Sequence, residues 1–287
     1  MSKRAVTFLL MLMVCISAVG CKSGSGEAIP EVTGVLETVF LSAGQADAIV
    51  LKTREHAVII DCGEKDDGDE LLELLAEKGI EKVDYLFITH FDKDHVGGAA
   101  ELIKNMETEN VITPDYEGSV KEYSKFIAAA EEKGLEIKRL TANMEFVLDD
   151  VSFCVYPPLK SEYEEADNDY SLAVTVRHGE NKLLFTGDAE SERLKELMTQ
   201  AVGQNTFDLL KVPHHGRYNE YTYTFVSAVK PEYAVITCSD KNPAEEKVIK
   251  ALESTGSKIY YTSGGNITAV SDGKNFDITQ EEKAAVG

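Results

Sequence analysis

Apolar and polar positions alternate along the chain with two periods, one typical of strands and one typical of helices. Short apolar and β-branched runs predict four early strands, at residues 35–41, 48–52, 57–61 and 83–89. Between the last two strands, residues 69–79 carry apolar side chains at helical spacing and end on Gly79, which predicts a helix with a glycine cap. The alternation continues with helices at 97–106 and 119–133 and strands at 111–113 and 136–140.

The pattern changes in the middle of the chain, where strand-like runs follow one another without helices between them. Residues 144–148, 151–156, 171–177 and 182–186 predict hairpins. Strands and helices then alternate again, with helices at 191–201, 222–229 and 244–253 and strands at 208–212, 233–237 and 258–262. This order predicts an α/β protein with mixed sheets covered by helices. No repeat or long linker divides residues 32–287, so we expect one domain, with a long irregular loop at 157–169.

Residues 1–20 have the pattern of a secretion signal, with two early positive charges, an apolar stretch and small residues before Cys21. The four residues 18–21 resemble a bacterial lipobox, which implies cleavage before Cys21 and lipidation of that cysteine. Residues 21–31 would then form a flexible tether. The resemblance implies an extracytoplasmic protein that contacts the bacterial cell membrane only through its lipid anchor. The alternative is an ordinary cleaved signal that leaves Cys21 as a free thiol.

Composition places the chain among globular proteins, with 43% hydrophobic and 28% charged residues in 287. The formal charge is −21, and loss of Lys3 and Arg4 with the leader would take it to −23. Because non-specific nucleic-acid binding depends on Lys and Arg neutralising phosphates, no stable complex of that kind is expected. A small phosphate site remains compatible with this charge.

Several reactive residue types have ordinary structural interpretations. The cysteines after position 21 are Cys62, Cys154 and Cys238. Their odd number and irregular spacing predict neither a disulfide framework nor a cysteine zinc cluster. Cys154 and Cys238 lie in apolar strand-like runs, where burial is expected. His56 and His178 fall in predicted turns and are expected at the surface. Lys93 is expected to be solvated.

The remaining four histidines follow directly after predicted strands, together with several aspartates: His90, Asp92, Asp94, His95, Asp188, His214 and His215. Charged groups at the ends of buried strands are costly unless something compensates them, and a metal ion does so directly. Imidazoles and carboxylates converging from three strand ends predict a hydrolytic site with two cations that share one carboxylate. The alternative for the first segment is a polar turn in which Asp94 caps the following helix.

These motifs resemble the metallo-β-lactamase fold. His90, Asp94 and His95 match its H-x-H-x-D-H motif, Asp188 matches its bridging aspartate, and His214 or His215 matches its final histidine. Asp61 matches an early aspartate that is generally structural. The resemblance covers residues 35–266 and implies a four-layered αββα architecture, in which two mixed β-sheets are sandwiched between helices.

A narrower resemblance is to the soluble hydrolase domain of ComEC-type competence proteins, through residues 41–48, 89–98 and 211–216. In that subfamily an aspartate replaces the second histidine of the first motif, as Asp92 does here. The histidine that the general fold has on a middle strand is missing, and Asn168 and Ser171 stand in its region, where they are interpreted as holding a water or substrate. Arg217 replaces a usual small residue, and is either a phosphate clamp or a solvated loop arginine.

The sequence therefore predicts a metal-dependent hydrolase with two divalent ions, Zn or Mn, and a bridging hydroxide as nucleophile. The predicted metal ligands are His90, Asp92, Asp94, His95, Asp188, and His214 or His215, with Asp94 and Asp188 as catalytic residues. A phosphodiester is the predicted substrate. The alternatives are a lactone or β-lactam hydrolase and a non-catalytic surface-binding lipoprotein. The sequence indicates no oligomeric state.

Overall fold

The computed structural model describes residues 32–164, 166–203 and 205–281. The predicted signal at 1–20 and tether at 21–31 lie outside these ranges. Fifteen strands within them form two sheets. The first contains β1 (Leu36–Phe40), β2 (Ala48–Lys52), β3 (Ala57–Cys62), β4 (Lys82–Phe87), β5 (Glu107–Pro114), β6 (Ile137–Leu140), β14 (Ile267–Ser271) and β15 (Phe276–Gln280). The second contains β7 (Met144–Leu148), β8 (Val151–Tyr156), β9 (Ala173–His178), β10 (Asn181–Phe185), β11 (Leu209–Lys211), β12 (Tyr233–Ile236) and β13 (Lys258–Tyr261).

The helices cover the outer faces of the two sheets. They are α1 (Gly68–Glu77), α2 (Lys93–Val96), α3 (Ala99–Asn105), α4 (Lys121–Lys133), α5 (Ala166–Asp169), α6 (Ser191–Leu197), α7 (Thr222–Val229) and α8 (Glu246–Ser254). The apolar faces of α1, α3 and α4 share a core with the first sheet, and those of α6, α7 and α8 share one with the second. A third core lies between the sheets, where Phe40 and Phe185 stack at 6.1 Å. The predicted four-layered αββα architecture is confirmed.

Both sheets are mixed, and strand direction determines where the site forms. In the first sheet β3, β4, β5 and β6 are parallel, and in the second β10, β11, β12 and β13 are parallel. Carboxyl ends of parallel strands meet at one edge of a sheet, which is where α/β proteins place their ligands. The loops after β3, β4, β10, β11 and β12 therefore converge from the two sheets.

Two strands and one histidine differ from the sequence-based expectations. β14 and β15 were not predicted, and β14 pairs with β1 in the first sheet. The surface location expected for His178 is wrong. Its side chain is fully buried, because β14 packs over the end of β9 and places Ser271 Oγ 2.8 Å from His178 Nδ1. His56 is partly exposed, with Nδ1 2.9 Å from Asp84 Oδ1.

The remaining fold expectations concern the cysteines, the long loop and the membrane. Cys62, Cys154 and Cys238 are free and buried, which confirms the burial that the sequence predicts for Cys154 and Cys238. The long loop at 157–169 contains the single turn of α5. Throughout residues 32–164, 166–203 and 205–281, no helix has both the length and the apolar character that crossing a membrane requires.

Candidate metal centre

Four side chains from both sheets form a compact group at the shared edge. Asp94 and His95 follow β4, Asp188 follows β10 and His215 follows β11. One potential ligand atom from each lies within 4.8 Å of all the others. His95 Nε2 and His215 Nε2 lie 3.3 Å and 3.1 Å from Asp188 Oδ2, and His215 Nε2 lies 3.4 Å from Asp94 Oδ2. Two imidazoles and two carboxylates at these distances form a donor set suited to a divalent cation.

Each histidine of this group is anchored through its other ring nitrogen. His95 Nδ1 lies 2.8 Å from Asp61 Oδ2, and His215 Nδ1 lies 3.0 Å from the Thr237 carbonyl oxygen. A partner at Nδ1 fixes the ring orientation and leaves Nε2 free for a cation, as is usual for metal-binding histidines. The arrangement therefore supports cation binding at both Nε2 atoms.

Asp61 connects β3 to the loop after β4. Its carboxylate accepts hydrogen bonds from the Thr89 backbone N–H and hydroxyl, both at 2.7 Å, in addition to contacting His95. The Asp61 backbone has φ of 58°, an uncommon conformation for a residue other than glycine. The fold thus holds this aspartate in an unfavourable backbone conformation, which places its carboxylate next to Nδ1 of His95. The match to an early structural aspartate agrees with this position.

His90 and Asp92 lie next to the four-residue group. His90 is fully buried, its ring is 4.1 Å from that of His95, and its Nδ1 is 3.1 Å from Thr89 Oγ1. Its Nε2 has no hydrogen-bond partner among the described residues, and Asp92 Oδ2 lies 3.7 Å away. Since a buried polar atom without a partner is costly, an unpaired Nε2 beside a carboxylate fits a second cation.

The two consecutive histidines after β11 take different positions. His215 is buried in the four-residue group, whereas the His214 side chain is 24% exposed and its Nε2 lies 3.9 Å from Asp188 Oδ2. His214 Nδ1 is 2.9 Å from Glu190 Oε1, so this histidine is also anchored at Nδ1. Both have positive φ, 46° and 51°. Backbone strain of this kind persists only where the surrounding structure imposes it, and it clusters at functional sites.

Of the three predicted substrate residues, Asn168 and Ser171 lie together beside the centre, where the Ser171 backbone N–H donates to the Asn168 carbonyl oxygen at 3.0 Å, whereas Arg217 lies in a separate pocket. Ser171 is buried, and its Oγ accepts a hydrogen bond from the Asp188 backbone N–H at 3.1 Å. Asn168 donates to Glu190 Oε1 at 3.0 Å, and its buried Oδ1 has no partner among the described residues. Arg217 is exposed and lines a shallow pocket beside α7, which contains no member of the four-residue group. These substrate roles remain predictions.

The sequence analysis missed three groups that support the site, of which Asp47 and Lys211 are buried and Glu190 is partly buried. Asp47 Oδ1 accepts a hydrogen bond from the Thr237 hydroxyl at 2.6 Å, and Lys211 Nζ lies 2.5 Å from Asp47 Oδ2 and 3.3 Å from Asp188 Oδ1. Glu190 anchors His214. Asp47 and Lys211 lie inside the motifs at 41–48 and 211–216, and Glu190 lies two residues after Asp188. Their position in or beside these motifs is the sequence feature from which their role at the site could have been predicted.

Charge coupling within the group is strong when no cation is bound. Burial would lower the pKa of His95, but the charges of Asp188 and Asp61 raise this pKa well above its usual value. Burial likewise opposes the effect of Asp188 on His215, whose pKa is raised to about 9. The histidines and Lys211 hold the pKa of Asp188 well below its usual value despite its burial. Cation binding must therefore displace protons from the imidazoles.

A cleft of about 540 Å³ opens beside the group at Asp94. Its polar lining includes four carboxylates and two lysines: Glu64, Asp66, Asp67, Asp94, Lys93 and Lys241. Lys93 Nζ lies 3.2 Å from Glu64 Oε1, so one of the two lysines is paired within the cleft. The cleft gives a substrate direct access to Asp94.

Comparison with known families assigns the chain. The family described as "Metallo-beta-lactamase superfamily" matches residues 41–239, which include every candidate metal ligand. The chain belongs to the metallo-beta-lactamase superfamily. As a member of the superfamily it is a metal-dependent hydrolase, and the resemblance drawn from the His and Asp motifs is confirmed.

The narrower resemblance is supported by two relatives. The chain is 27% identical to ComE operon protein 3 of Bacillus subtilis (strain 168) over 263 residues, covering 86% of this chain and 32% of the relative. It is 26% identical to competence protein ComA of Neisseria gonorrhoeae over 217 residues, covering 75% of this chain and 28% of the relative. The chain thus spans a third or less of the length of these curated relatives.

A solved structure supports the fold alone. The metallo-beta-lactamase fold protein YhfI of Bacillus subtilis superposes with a TM-score of 0.53 at 10% sequence identity. The match covers 79% of this chain and 96% of YhfI. The architecture of two helix-covered sheets is therefore shared even where the sequences have little in common.

Replacing Asp61 by Asn should weaken cation binding by roughly 10- to 100-fold, because the neutral amide holds His95 Nδ1 less firmly. Asparagine tolerates positive φ, so the fold should be retained. Calorimetric titration with Zn²⁺ and Mn²⁺ measures the change. Asp149→Asn is a matched control, because Asp149 also has positive φ, at 51°, and accepts a threonine hydroxyl at 2.7 Å. Equal weakening in both variants would contradict this role of Asp61.

Proposed function

We propose that this chain hydrolyses phosphodiesters with two divalent cations. One observation carries the proposal: the four-residue group lies directly beside a buried histidine, His90, whose Nε2 has no hydrogen-bond partner in the part of the chain that the structure describes. Asp94, His95, Asp188 and His215 would hold one cation. His90 and Asp92 would hold the second together with Asp188, and His214 supplies a further imidazole on the same side.

Two bound cations would lower the pKa of water and neutralise charge that develops on the oxygens of an attacked phosphate. The residues of the chain supply position and proton transfer. Asp94 belongs to the group and also lines the cleft, so its carboxylate is placed to orient the attacking water and accept its proton. Asp188 Oδ2 lies near His95 and His215 and is 3.9 Å from His214 Nε2, so its carboxylate would be shared by the two cations.

The ligand set favours hard cations more than an all-histidine site does. Three of the proposed ligands are carboxylates: Asp92, Asp94 and Asp188. Carboxylate oxygens suit manganese, whereas imidazoles suit zinc and several other metals. We therefore propose Mn²⁺ as a competitor of Zn²⁺ at this centre.

The negative charge of the chain and of its cleft limits which phosphodiesters can bind. The formal charge of −21 and the four carboxylates of the cleft repel long polyanions, so DNA would bind weakly at low ionic strength. Small phosphodiesters fit this field better, because each carries few negative charges. A phosphodiester polymer of the cell wall is the second candidate, and it meets the same repulsion as DNA because it is also a polyanion. The replacement of an imidazole by Asp92 distinguishes the site from that of a lactamase and supports phosphodiester chemistry.

Hydrolysis assays on one preparation should separate the substrate classes. Loaded with Zn²⁺ or Mn²⁺, the protein should cleave bis(p-nitrophenyl) phosphate and leave a chromogenic lactone and a β-lactam nearly unchanged. Asp188→Ala should lower kcat/KM for the phosphodiester by roughly a thousandfold, because the shared ligand is lost. Efficient turnover of the lactone or β-lactam with no phosphodiester cleaved would refute the substrate assignment. No turnover of any class would favour a binding role.

Lys241 and Arg217 are two alternative candidates for the residue that anchors the phosphate, and they lie in different pockets. Lys241 lines the cleft with Asp94, whereas Arg217 lines the pocket beside α7. If Lys241 anchors the substrate, Lys241→Ala should raise KM several-fold with little change in kcat, and Arg217→Ala should change neither. The reverse result would support the sequence-based hypothesis of an Arg217 clamp. Steady-state kinetics of both variants on one phosphodiester decides between them.

We further propose that a lipid on Cys21 anchors the enzyme to the outer face of the cell membrane. The supporting observation is the lipobox-like run at 18–21 after a signal-like leader. Intact mass of the protein extracted from native membranes should show a mature chain that begins at Cys21 and bears diacylglycerol. A mature chain that begins elsewhere, or an unmodified Cys21, would exclude the anchor.

A further inference from the structure

Lys211 is a fully buried lysine at the end of β11, inside the candidate metal centre. Its Nζ lies 2.5 Å from Asp47 Oδ2 and 3.3 Å from Asp188 Oδ1, and it donates to the Gly187 carbonyl oxygen at 3.2 Å. A buried ammonium is costly unless opposite charges and hydrogen-bond acceptors surround it. Three oxygen atoms, two of them on carboxylates, satisfy that requirement for Lys211.

The contact with Lys211 gives the two oxygens of Asp188 different roles. Oδ1 lies next to the Lys211 ammonium, whereas Oδ2 lies within 3.3 Å of His95 Nε2 and His215 Nε2. The side chain therefore cannot rotate freely, because rotation would separate Oδ1 from Lys211. Lys211 thus fixes which oxygen Asp188 presents to a cation.

The ammonium also contacts a second group of potential ligands. Asp47, Asp61 and His95 bring one ligand atom each within 4.8 Å of one another, and all three are buried. Lys211 Nζ contacts this group through Asp47. Burial opposes a positive charge here, but the charges of Asp47, Asp188 and, less strongly, Asp61 raise the pKa of Lys211 above its usual value. The positive charge of Lys211 therefore lies at the place where Asp47 and Asp61 would otherwise attract a further cation.

Charge arithmetic supports the same interpretation. The centre contains five carboxylates, on Asp47, Asp61, Asp92, Asp94 and Asp188, and its histidines are neutral when they bind a metal. Two divalent cations contribute four positive charges. Lys211 contributes a fifth, which offsets one further carboxylate. Glu190, which anchors His214, and a bound hydroxide would each add a negative charge, so loss of Lys211 would leave an already acidic centre more negative by one charge.

We propose that Lys211 is the permanent cation of the metal centre, a positioning residue that compensates Asp47 and orients Asp188 before and after divalent ions bind. This proposal rests on the proposed function only in requiring that two cations bind. When the cations are removed, the protonated imidazoles of His95 and His215 and the Lys211 ammonium are the positive charges beside Asp188, and Lys211 is the one lysine or arginine among the described residues that contacts Asp188 or Asp47. Its loss should therefore harm the cation-free protein more than the loaded one.

Thermal unfolding of Lys211→Met with and without cations tests this role. In EDTA the variant should unfold at a much lower temperature than the unsubstituted protein, and saturating Mn²⁺ or Zn²⁺ should recover most of the difference. By linkage, the variant should bind the cations tighter by roughly tenfold or more, because the loss of a repelling charge next to the cations outweighs the loss of the contact that orients Asp188. Calorimetric titration of the full chain gives that affinity.

Lys78→Met provides the matched control. Lys78 Nζ lies 2.6 Å from Glu37 Oε1 in a partly buried pair outside the candidate centre. This variant should lose the same stability with and without cations, as expected of a purely structural lysine. If Lys211→Met does not fold in EDTA, Asp47→Asn combined with Lys211→Met removes both charges of the pair and should restore folding.

Equal losses for Lys211→Met in EDTA and in saturating cation would overturn the proposal, as would unchanged or weaker cation binding. Failure of the double variant to fold where the loaded single variant folds would overturn it too. These outcomes are independent of the substrate. Cation binding with the expected Lys211 effect but without phosphodiester cleavage would refute the proposed function and support the role of Lys211.

Discussion

The structure depends on keeping five carboxylates together at the shared edge of two sheets. Like charges at such short distances repel, and burial removes the water that would otherwise screen them. Histidine rings and one lysine ammonium therefore surround Asp188, with His95, His215 and Lys211 all within 3.3 Å of its oxygens. The fold must hold positive or polar partners in place around each acid, which explains why so many of these contacts join separate loops.

Rigid anchoring is the second consequence of this constraint. Each histidine near the centre has its Nδ1 held by an oxygen atom, from Asp61, Thr237, Thr89 or Glu190. The four Nε2 atoms are thereby left for the centre, and none has to be reoriented when a cation binds. Anchoring of this kind costs backbone strain, which is seen as positive φ at Asp61, His214 and His215.

The substrate side of the centre differs in character from the ligand side. Four of the proposed ligands, His90, His95, Asp188 and His215, are buried and held by contacts, whereas the cleft is open and acidic and is lined by Asp94 and its neighbours. Fold and family therefore constrain the metal chemistry strongly, because the same motifs recur across the superfamily. They constrain the substrate less, since the side chains that would contact it lie on loops outside the shared motifs.

The sequence by itself determined the layered architecture, the strand ends that bear ligands and the His and Asp motifs, because hydrophobic periodicity and motif spacing are local properties of the chain. It did not determine which of His214 and His215 enters the four-residue group, nor the burial of His178 under a strand from the far end of the chain. Nor did it reveal that Lys211 reaches Asp47, which lies 164 positions earlier. Tertiary structure alone decided these points, because each depends on the distance between side chains from separate strands, which neither periodicity nor spacing specifies.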